Sequence, residues 1–379
     1  MKAISFLIKP ASGSCNMRCR YCFYEDVSTH RETYNMGVMS KEMASSFISW
    51  TFSSLSDEGT VSFAFQGGEP TMAGLGYFRH FVDEVKKYKK EGQNVSYSLQ
   101  TNGYAITEEW ASFFKENNFL IGVSVDGNKN GHDRYRIDAK GEGTFLRIID
   151  NLKLLEKYNV DYNALCVVTG KTDPVKVYSS LKREGFSYLQ FIPCLDPYEE
   201  ERGGRDFSLT PSLYARFLSA TFDLWYRDWK NGKYTSVRLF DDYVHLAMGY
   251  PPSSCAVLGN CGGYIVVEAD GSIYPCDFYV TDKWKMGLFS DFESVDEVYK
   301  SPVMIEFLNE GKAEKEECRK CQWRRLCNGG CRRDCDYQGK VGSNYFCSSF
   351  KEFFKHAYSR IEEVAKLEAE YIKGADRRL

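Results

Sequence analysis

No stretch of the sequence is long or apolar enough to predict a membrane span or an export signal. The first apolar run extends only from Ile4 to Ile8, where Lys9 and Pro10 interrupt it. A signal sequence needs an apolar core of roughly 7–15 residues, and a membrane span needs roughly 18. The net charge is only −3, which gives no reason to expect a nucleic acid or a membrane surface as a partner. These absences predict a cytoplasmic protein that binds neither.

The sequence also lacks long internal repeats and low-complexity segments, but it is rich in cysteine. Fourteen of its 379 residues are cysteine. Disulfide frameworks are typical of small secreted domains, and this chain is neither small nor visibly exported. We therefore expect the clustered cysteines to be metal ligands.

Strand-like and helix-like segments alternate along the first 230 residues or so. The predicted strands cover residues 4–9, 61–65, 95–100, 119–125, 162–168 and 188–192. The predicted helices cover residues 40–52, 75–89, 107–115, 144–158, 174–184 and 211–230. Six β/α units in series predict an α/β fold with a parallel sheet, open or curled into a barrel. In such folds the functional site lies at the carboxyl ends of the strands.

The β/α rhythm stops after about Phe240, and cysteines become dense. Residues 264–268 and 272–274 flank Asp270-Gly271 with near-alternating polarity, which predicts a hairpin. A cysteine-rich region follows, and then a predicted helix over residues 350–372.

Cys15, Cys19 and Cys22 follow the first predicted strand. A [4Fe–4S] cluster usually takes four cysteines, so three local thiolates would leave one iron open, as in reactive rather than structural metal sites. The alternative is a zinc site with a distant fourth ligand.

The spacing Cys-x3-Cys-x-Tyr21-Cys, with Gly67-Gly68-Glu69-Pro70 after the next strand, resembles the radical S-adenosylmethionine (SAM) superfamily. The resemblance implies that the open iron chelates SAM, which is cleaved to a 5′-deoxyadenosyl radical. It also implies that the glycine-rich motif approaches the methionine amino group, since glycines permit close backbone approach and carbonyl or carboxylate oxygens accept from an ammonium.

The later cysteines include the spacing Cys318-x2-Cys321-x5-Cys327-x3-Cys331, with Cys347 after a gap. This spacing resembles the SPASM pattern of auxiliary-cluster domains. The resemblance assigns Cys255, Cys261, Cys276 and Cys331 to one cluster. It assigns Cys318, Cys321, Cys327 and Cys347 to another, for three [4Fe–4S] clusters in all. It implies a partial (β/α)6 barrel over residues 1–235 and a SPASM domain with a C-terminal helix over residues 236–379. Alternatives are one or two zinc knuckles, and Cys335 as a ligand if the assignment near Cys331 is wrong.

Nearly the whole chain resembles anaerobic sulfatase-maturating enzymes, in residues 7–10, 22–24, 63–71, 98–103, 165–169, 194–197, 274–280, 282–284 and 331–333. The resemblance implies oxidation of a cysteine or serine in a sulfatase polypeptide to Cα-formylglycine, after hydrogen abstraction from Cβ. The expected target motif is Cys/Ser-x-Pro/Ala-x-Arg, and the expected reductant is a flavodoxin or ferredoxin. Asp277 matches the base of the family, although an aspartate here can also order the ligand loop through backbone N–H groups. The expected SAM contacts are Tyr21, Gly68, Ser124, Arg136 and Leu195.

Two other functions remain open from the sequence. One is another SPASM peptide-modifying enzyme that forms thioether or carbon–carbon crosslinks; because the first motif begins at Cys15, we expect no separate peptide-recognition domain before it. The other is a non-enzymatic binding module stapled by zinc. Tyr24 and Gln66 are weaker candidates for contacts with a peptide, and packing is the expected role of Cys166 and Cys194.

Overall fold

The computed structural model describes residues 1–312, 316–337 and 340–376. The chain forms two compact units, each built from separated segments. The first comprises residues 1–125, 132–163 and 261–310, and the second comprises residues 126–131, 164–260 and the described part of 311–379. Residues 261–310 therefore belong to the same unit as the N-terminal segment. The division after residue 235 does not coincide with these units and stays a prediction.

The strands are β1 Ala3–Ile8, β2 Thr60–Phe65, β3 Asn94–Thr101, β4 Phe119–Ser124, β5 Tyr162–Val168, β6 Tyr188–Pro193, β7 Ser236–Val237, β8 Ile265–Val267, β9 Ser272–Tyr274, β10 Gly287–Leu288, β11 Asp336–Tyr337 and β12 Lys340–Val341. The helices are α1 Phe23–Thr29, α2 Lys41–Ser54, α3 Leu75–Tyr88, α4 Glu108–Glu116, α5 Lys129–Tyr135, α6 Phe145–Lys157, α7 Pro174–Arg183, α8 Pro211–Lys230, α9 Arg238–Met248, α10 Cys255–Leu258, α11 Val295–Lys300, α12 Pro302–Lys312, α13 Glu316–Arg319, α14 Arg324–Cys327, α15 Arg332–Cys335 and α16 Cys347–Asp376. The six predicted strands match β1–β6 to within one residue at each end. No described helix is both long and apolar enough to cross a membrane.

The sheet of the first unit has the strand order β10-β9-β8-β1-β2-β3-β4. The pairs β8–β1, β1–β2, β2–β3 and β3–β4 are parallel, whereas β8–β9 and β9–β10 are antiparallel. Ile8 is opposite Phe65 on one side and Val267 on the other. The carboxyl ends of β1, β2 and β8 are therefore level with one another. The predicted hairpin is confirmed as β8–β9, and it extends the N-terminal sheet.

Local sequence explains how the helices of this unit begin and pack. The Ser40 side chain caps α2 by accepting from the Met43 amide at 3.0 Å, which satisfies an otherwise unpaired N–H group. Aromatic rings of α2 and α3 lie against the sheet, as in the Phe6–Phe47 and Phe65–Phe78 pairs, whose centroids are 4.8 and 5.0 Å apart. This aromatic layer covers one face of the sheet, whereas the candidate site lies at the carboxyl ends of the strands.

The second unit contains the parallel pairs β5–β6 and β6–β7. Its core includes α8, α9 and α16, where Phe222, Phe240 and Phe353 pack together with centroid distances of 5.2–5.8 Å. The predicted C-terminal helix is α16, and its buried aromatic face explains why it is a stable part of this unit.

Candidate active site

Cys15, Cys19 and Cys22 lie between β1 and α1, and Cys22 is the N-cap residue of α1. The Cys15 Sγ accepts from the Met17 amide at 3.4 Å and from the Asn102 side-chain amide at 3.7 Å. Burial raises the pKa of the Cys15 thiol to about 11, and the nearby Cys22 adds to the increase. Thiolates are the ligands that iron–sulfur clusters require. Three partly buried thiols in one short loop are therefore a donor set that fits a [4Fe–4S] cluster with one open iron.

The glycine-rich segment after β2 is hydrogen-bonded to this cysteine loop. The Gly68 amide donates to the Ser12 carbonyl and the Glu69 amide to the Ser14 carbonyl, both at 2.8 Å. A Cβ atom at Gly68 would lie 2.3 Å from the Ser14 oxygen. Only glycine permits this approach between the two backbones.

The Glu69 carboxylate is buried and already hydrogen-bonded within the protein. It accepts from the Thr71 amide at 3.1 Å, the Thr71 hydroxyl at 2.7 Å, the Thr101 hydroxyl at 2.8 Å and the Asn102 amide at 2.7 Å. Burial raises the pKa of Glu69, and these hydrogen bonds oppose that increase. The carboxylate thus joins the ends of β2 and β3, and the glycine backbone is the part of the motif suited to contact a ligand.

Three further expected SAM contacts lie in the same unit. Arg136 is buried, with only 6% of its surface exposed, although an arginine is more often found at the surface. Its guanidinium lies 5.4 Å from the centroid of the Tyr21 ring. Burial raises the pKa of the Cys22 thiol, and the positive charge of Arg136 opposes that increase. The Ser124 hydroxyl at the end of β4 accepts from the Gln100 side-chain amide at 3.0 Å. Arg136 and Tyr21 are therefore close to the cysteine loop, as a ligand of the open iron would require.

Leu195 belongs to the second unit, where it follows β6. Its carbonyl oxygen lies 3.8 Å from the Cys194 Sγ. Cys194 and Cys166 are both buried, in keeping with the packing role expected for them.

Asp277 begins a short 3-10 helix immediately after Cys276, and it is 4% exposed. One carboxylate oxygen accepts from the Gln66 side-chain amide at 2.8 Å, and the other forms an ion pair with the Lys9 ammonium. Gln66 and Lys9 directly follow β2 and β1. These side-chain contacts differ from the backbone N–H bonds expected of an aspartate that only orders a loop. They place the carboxylate at the carboxyl edge of the sheet.

Sequence reasoning missed three buried charged residues, which are Lys9, Arg31 and Glu268. Lys9 was interpreted only as the end of an apolar run, yet its side chain is fully buried. Arg31 and Glu268 form a buried ion pair at 2.7 Å, and the Tyr24 hydroxyl donates to Glu268. The one sequence signal was the position of Lys9 and Glu268 as the last residues of predicted strands.

The structure brings Cys318, Cys321, Cys327 and Cys347 together around one pocket of the second unit. Burial raises the pKa of the Cys327 thiol to about 12, and the other three cysteines add to the increase. Four cysteines match the ligand set of a fully coordinated [4Fe–4S] cluster. Across residues 1–312, 316–337 and 340–376, no three or more His, Cys, Asp or Glu side chains converge closely enough to hold a single metal ion.

The four cysteines expected to hold the remaining cluster are divided between the two units. Cys261 and Cys276 lie in the first unit, and burial raises the pKa of Cys276 to about 12, with nearby Cys261 adding to it. Cys255 and Cys331 lie in the second unit. There the Cys335 thiol is buried and donates to the Cys331 carbonyl at 3.3 Å, so Cys335 remains the alternative ligand.

Residues 10–176 match the Radical SAM superfamily, and residues 255–322 match the SPASM iron–sulfur cluster-binding domain. Fold and site together define a radical SAM enzyme with a C-terminal SPASM domain. The chain is 44% identical to the cysteine-type anaerobic sulfatase-maturating enzyme of Clostridium novyi, over 97% of this chain and 98% of that protein. It is 30% identical to the serine-type enzyme of Bacteroides thetaiotaomicron, over 96% of this chain and 92% of that protein. The chain belongs to the anaerobic sulfatase-maturating enzymes.

A solved structure of native anSMEcpe with bound AdoMet and the Kp18Cys peptide is similar throughout. It superposes with a TM-score of 0.91 at 43% identity, covering 96% of this chain and 99% of that one. These similarities confirm the predicted family, the α/β fold with a SPASM domain, and the cofactors, which are [4Fe–4S] clusters and SAM. Three clusters fit the anaerobic sulfatase-maturating relatives, and the assignment of cysteines to each cluster stays a prediction. The alternative of a zinc-stapled binding module is wrong.

Proposed function

We propose that this enzyme oxidises a cysteine of a sulfatase polypeptide to Cα-formylglycine, with Asp277 as the proton acceptor. The observation that carries the proposal is the buried Asp277 carboxylate, held at the carboxyl edge of the sheet between Lys9 and Gln66. Cysteine is favoured over serine as the target because identity is 44% to a cysteine-type relative and 30% to a serine-type relative.

Cys15, Cys19 and Cys22 would hold the cluster that, with SAM, supplies the radical for removing a hydrogen atom from the target Cβ. The Gly68 backbone and the Arg136 guanidinium would bind the amino and carboxylate groups of SAM, since a guanidinium pairs with a carboxylate through two hydrogen bonds. Tyr21, Ser124 and Leu195 would complete the contacts. These residues keep the ligand in one orientation, which is what precise hydrogen abstraction demands.

Asp277 would accept the proton of the target thiol. A base must lie within hydrogen-bond reach of the proton that it removes. The Lys9 ammonium and the Gln66 amide hold the Asp277 carboxylate in one orientation, which suits this requirement. Cys255, Cys261, Cys276 and Cys331 would hold a cluster that supplies an electron acceptor next to this base, and Cys318, Cys321, Cys327 and Cys347 would hold the third. Loss of the thiol proton to Asp277 and of one electron to the acceptor next to it would convert the Cβ radical into a thioaldehyde. Its hydrolysis would give the aldehyde and hydrogen sulfide.

The expected partners are a sulfatase polypeptide with a Cys-x-Pro-x-Arg motif and a one-electron reductant such as flavodoxin or ferredoxin. Cysteines that serve as metal ligands suit a reducing compartment, so a cytoplasmic location is part of the proposal.

The test is an anaerobic assay with reconstituted enzyme, SAM, a reductant and a Cys-x-Pro-x-Arg peptide. We expect an aldehyde product, detected by mass and by hydrazine trapping, with one 5′-deoxyadenosine released per product. Peptides with serine or alanine at the target position are the matched controls, and turnover should decrease in the order cysteine, serine, alanine. Deoxyadenosine release with a crosslinked peptide and no aldehyde would contradict the proposal and indicate a crosslinking SPASM enzyme.

A further inference from the structure

Lys9 is a completely buried lysine at the carboxyl edge of the sheet. It directly follows β1, and its amide donates to the Val267 carbonyl at 2.8 Å, which continues the pairing of β1 with β8. Its side chain is 0% exposed. Lysine is almost never fully buried unless its charge is paired, so the surroundings of the ammonium need an explanation.

The ammonium lies between a carboxylate and an aromatic ring. It forms an ion pair with Asp277, and its nitrogen is 4.0 Å from the centroid of the Tyr24 ring. The second Asp277 oxygen accepts from Gln66 at 2.8 Å. The carboxylate is thus held from two sides by residues that follow neighbouring parallel strands.

The other buried charges nearby already have partners of their own. Glu268 pairs with Arg31 at 2.7 Å and also accepts from the Tyr24 hydroxyl. Arg31 donates further to the Ser28 hydroxyl at 3.0 Å. Because Arg31 balances Glu268, Asp277 is the counter-ion of Lys9, and the anchored Tyr24 ring keeps the ammonium directed towards it.

Stability alone does not account for this arrangement. A buried ion pair contributes little compared with a well-packed apolar pair of similar volume, because both charges must be desolvated. An ammonium is a compact charge with three donors, and this one contacts the carboxylate that accepts the substrate proton in the proposed reaction.

We propose that Lys9 is a positioning residue for the proposed reaction: its ammonium balances the charge of the Asp277 carboxylate and orients it towards the substrate thiol. The inference rests on the proposed role of Asp277. It predicts that an enzyme without Lys9 still forms the deoxyadenosyl radical but completes the oxidation less often.

The experiment compares the reconstituted full-length enzyme with Lys9→Met, Asp277→Asn and the double variant. Lys87→Met, at a lysine whose side chain is 63% exposed, is the matched control. We expect Lys9→Met to lower formylglycine formation by about 10- to 100-fold, the range seen when a supporting partner of a functional group is lost. Deoxyadenosine release and iron content should remain, so the ratio of deoxyadenosine to product should increase by the same factor.

The double variant tests whether Lys9 acts through Asp277. We expect it to lose no more activity than Asp277→Asn alone, since residues that act as a unit are non-additive. Equal ratios of deoxyadenosine to product in Lys9→Met and the parent would overturn the role of Lys9 while leaving the proposed function intact. Parental turnover by Asp277→Asn would instead refute the role of the base. If Lys9→Met does not fold, Lys9→Gln, which retains a donor, is measured in its place, and a parental ratio in that variant would overturn the inference.

Discussion

The close approach of the glycine-rich segment to the cysteine loop makes Gly68→Ala a sharp test of the site. An added Cβ would lie 2.3 Å from the Ser14 oxygen, and 2.7 and 2.8 Å from the carbonyl carbon and oxygen of Gly13. All three atoms belong to the backbone, so no side-chain rotation can relieve the contact. The two segments must therefore move apart.

The size of the effect follows from these distances. Ordinary contacts between heavy atoms begin at about 3.5 Å, so the segments must separate by about 1 Å. The hydrogen bonds from the Gly68 and Glu69 amides, both at 2.8 Å, would then exceed hydrogen-bonding distance. With each bond contributing about 1 kcal/mol and overpacking costing at least as much, we expect a destabilisation of about 2–4 kcal/mol.

Urea unfolding monitored by circular dichroism measures the stability of this variant, and equilibrium dialysis of the reconstituted enzyme measures its affinity for SAM. The control is Gly76→Ala in α3, where an added Cβ meets nothing within 4 Å and where alanine is the better helix former. Gly68→Ala should lower both stability and affinity, whereas Gly76→Ala should lower neither. Parental stability together with parental SAM affinity in Gly68→Ala would refute the steric reasoning.

Three other substitutions test separate parts of the structure. Arg31→Met leaves the buried Glu268 carboxylate without its cation and should destabilise the protein by about 3–5 kcal/mol in urea unfolding; a loss below about 1 kcal/mol would mean that the carboxylate is balanced in another way. Cys327→Ser should lower the iron content of reconstituted enzyme by about one third, because one of three four-iron clusters is lost, and unchanged iron would remove Cys327 from the ligand set. Lys230→Met removes an ion pair with Glu363 in which both side chains are more than a third exposed, so the midpoint of thermal unfolding should stay at the parental value, and a clear decrease would contradict that assignment to the surface.

Local signals in the sequence were sufficient for most of the secondary structure. Ser40 predicted the start of α2 because a short hydroxyl side chain can cap a helix, and Asp270-Gly271 predicted the β8–β9 turn. Such signals act between residues close in sequence. For the same reason, they did not predict that β8 pairs with β1, nor that residues 261–310 join the N-terminal unit.

The residues of the candidate site also differ in whether the sequence predicted them. The cysteine groups and Asp277 were found because their spacing resembles that of a family. Lys9 was missed because its partner Asp277 is distant in sequence, and a lysine after an apolar strand is usually exposed. The burial of Arg136 likewise depends on tertiary packing that no neighbouring residue indicates.

Because β8 pairs with β1 but lies far from it in sequence, the two parts of the site are synthesised at different times. Chains emerge from the ribosome with the N-terminus first. A nascent chain of 260 residues already contains Cys15, Cys19 and Cys22, but it lacks β8, Cys276 and Asp277. The segment with the proposed ligands of the radical-generating cluster therefore exists before Asp277, the proposed proton acceptor. The proposed oxidation then requires the chain to close the long loop that brings Val267 to Ile8.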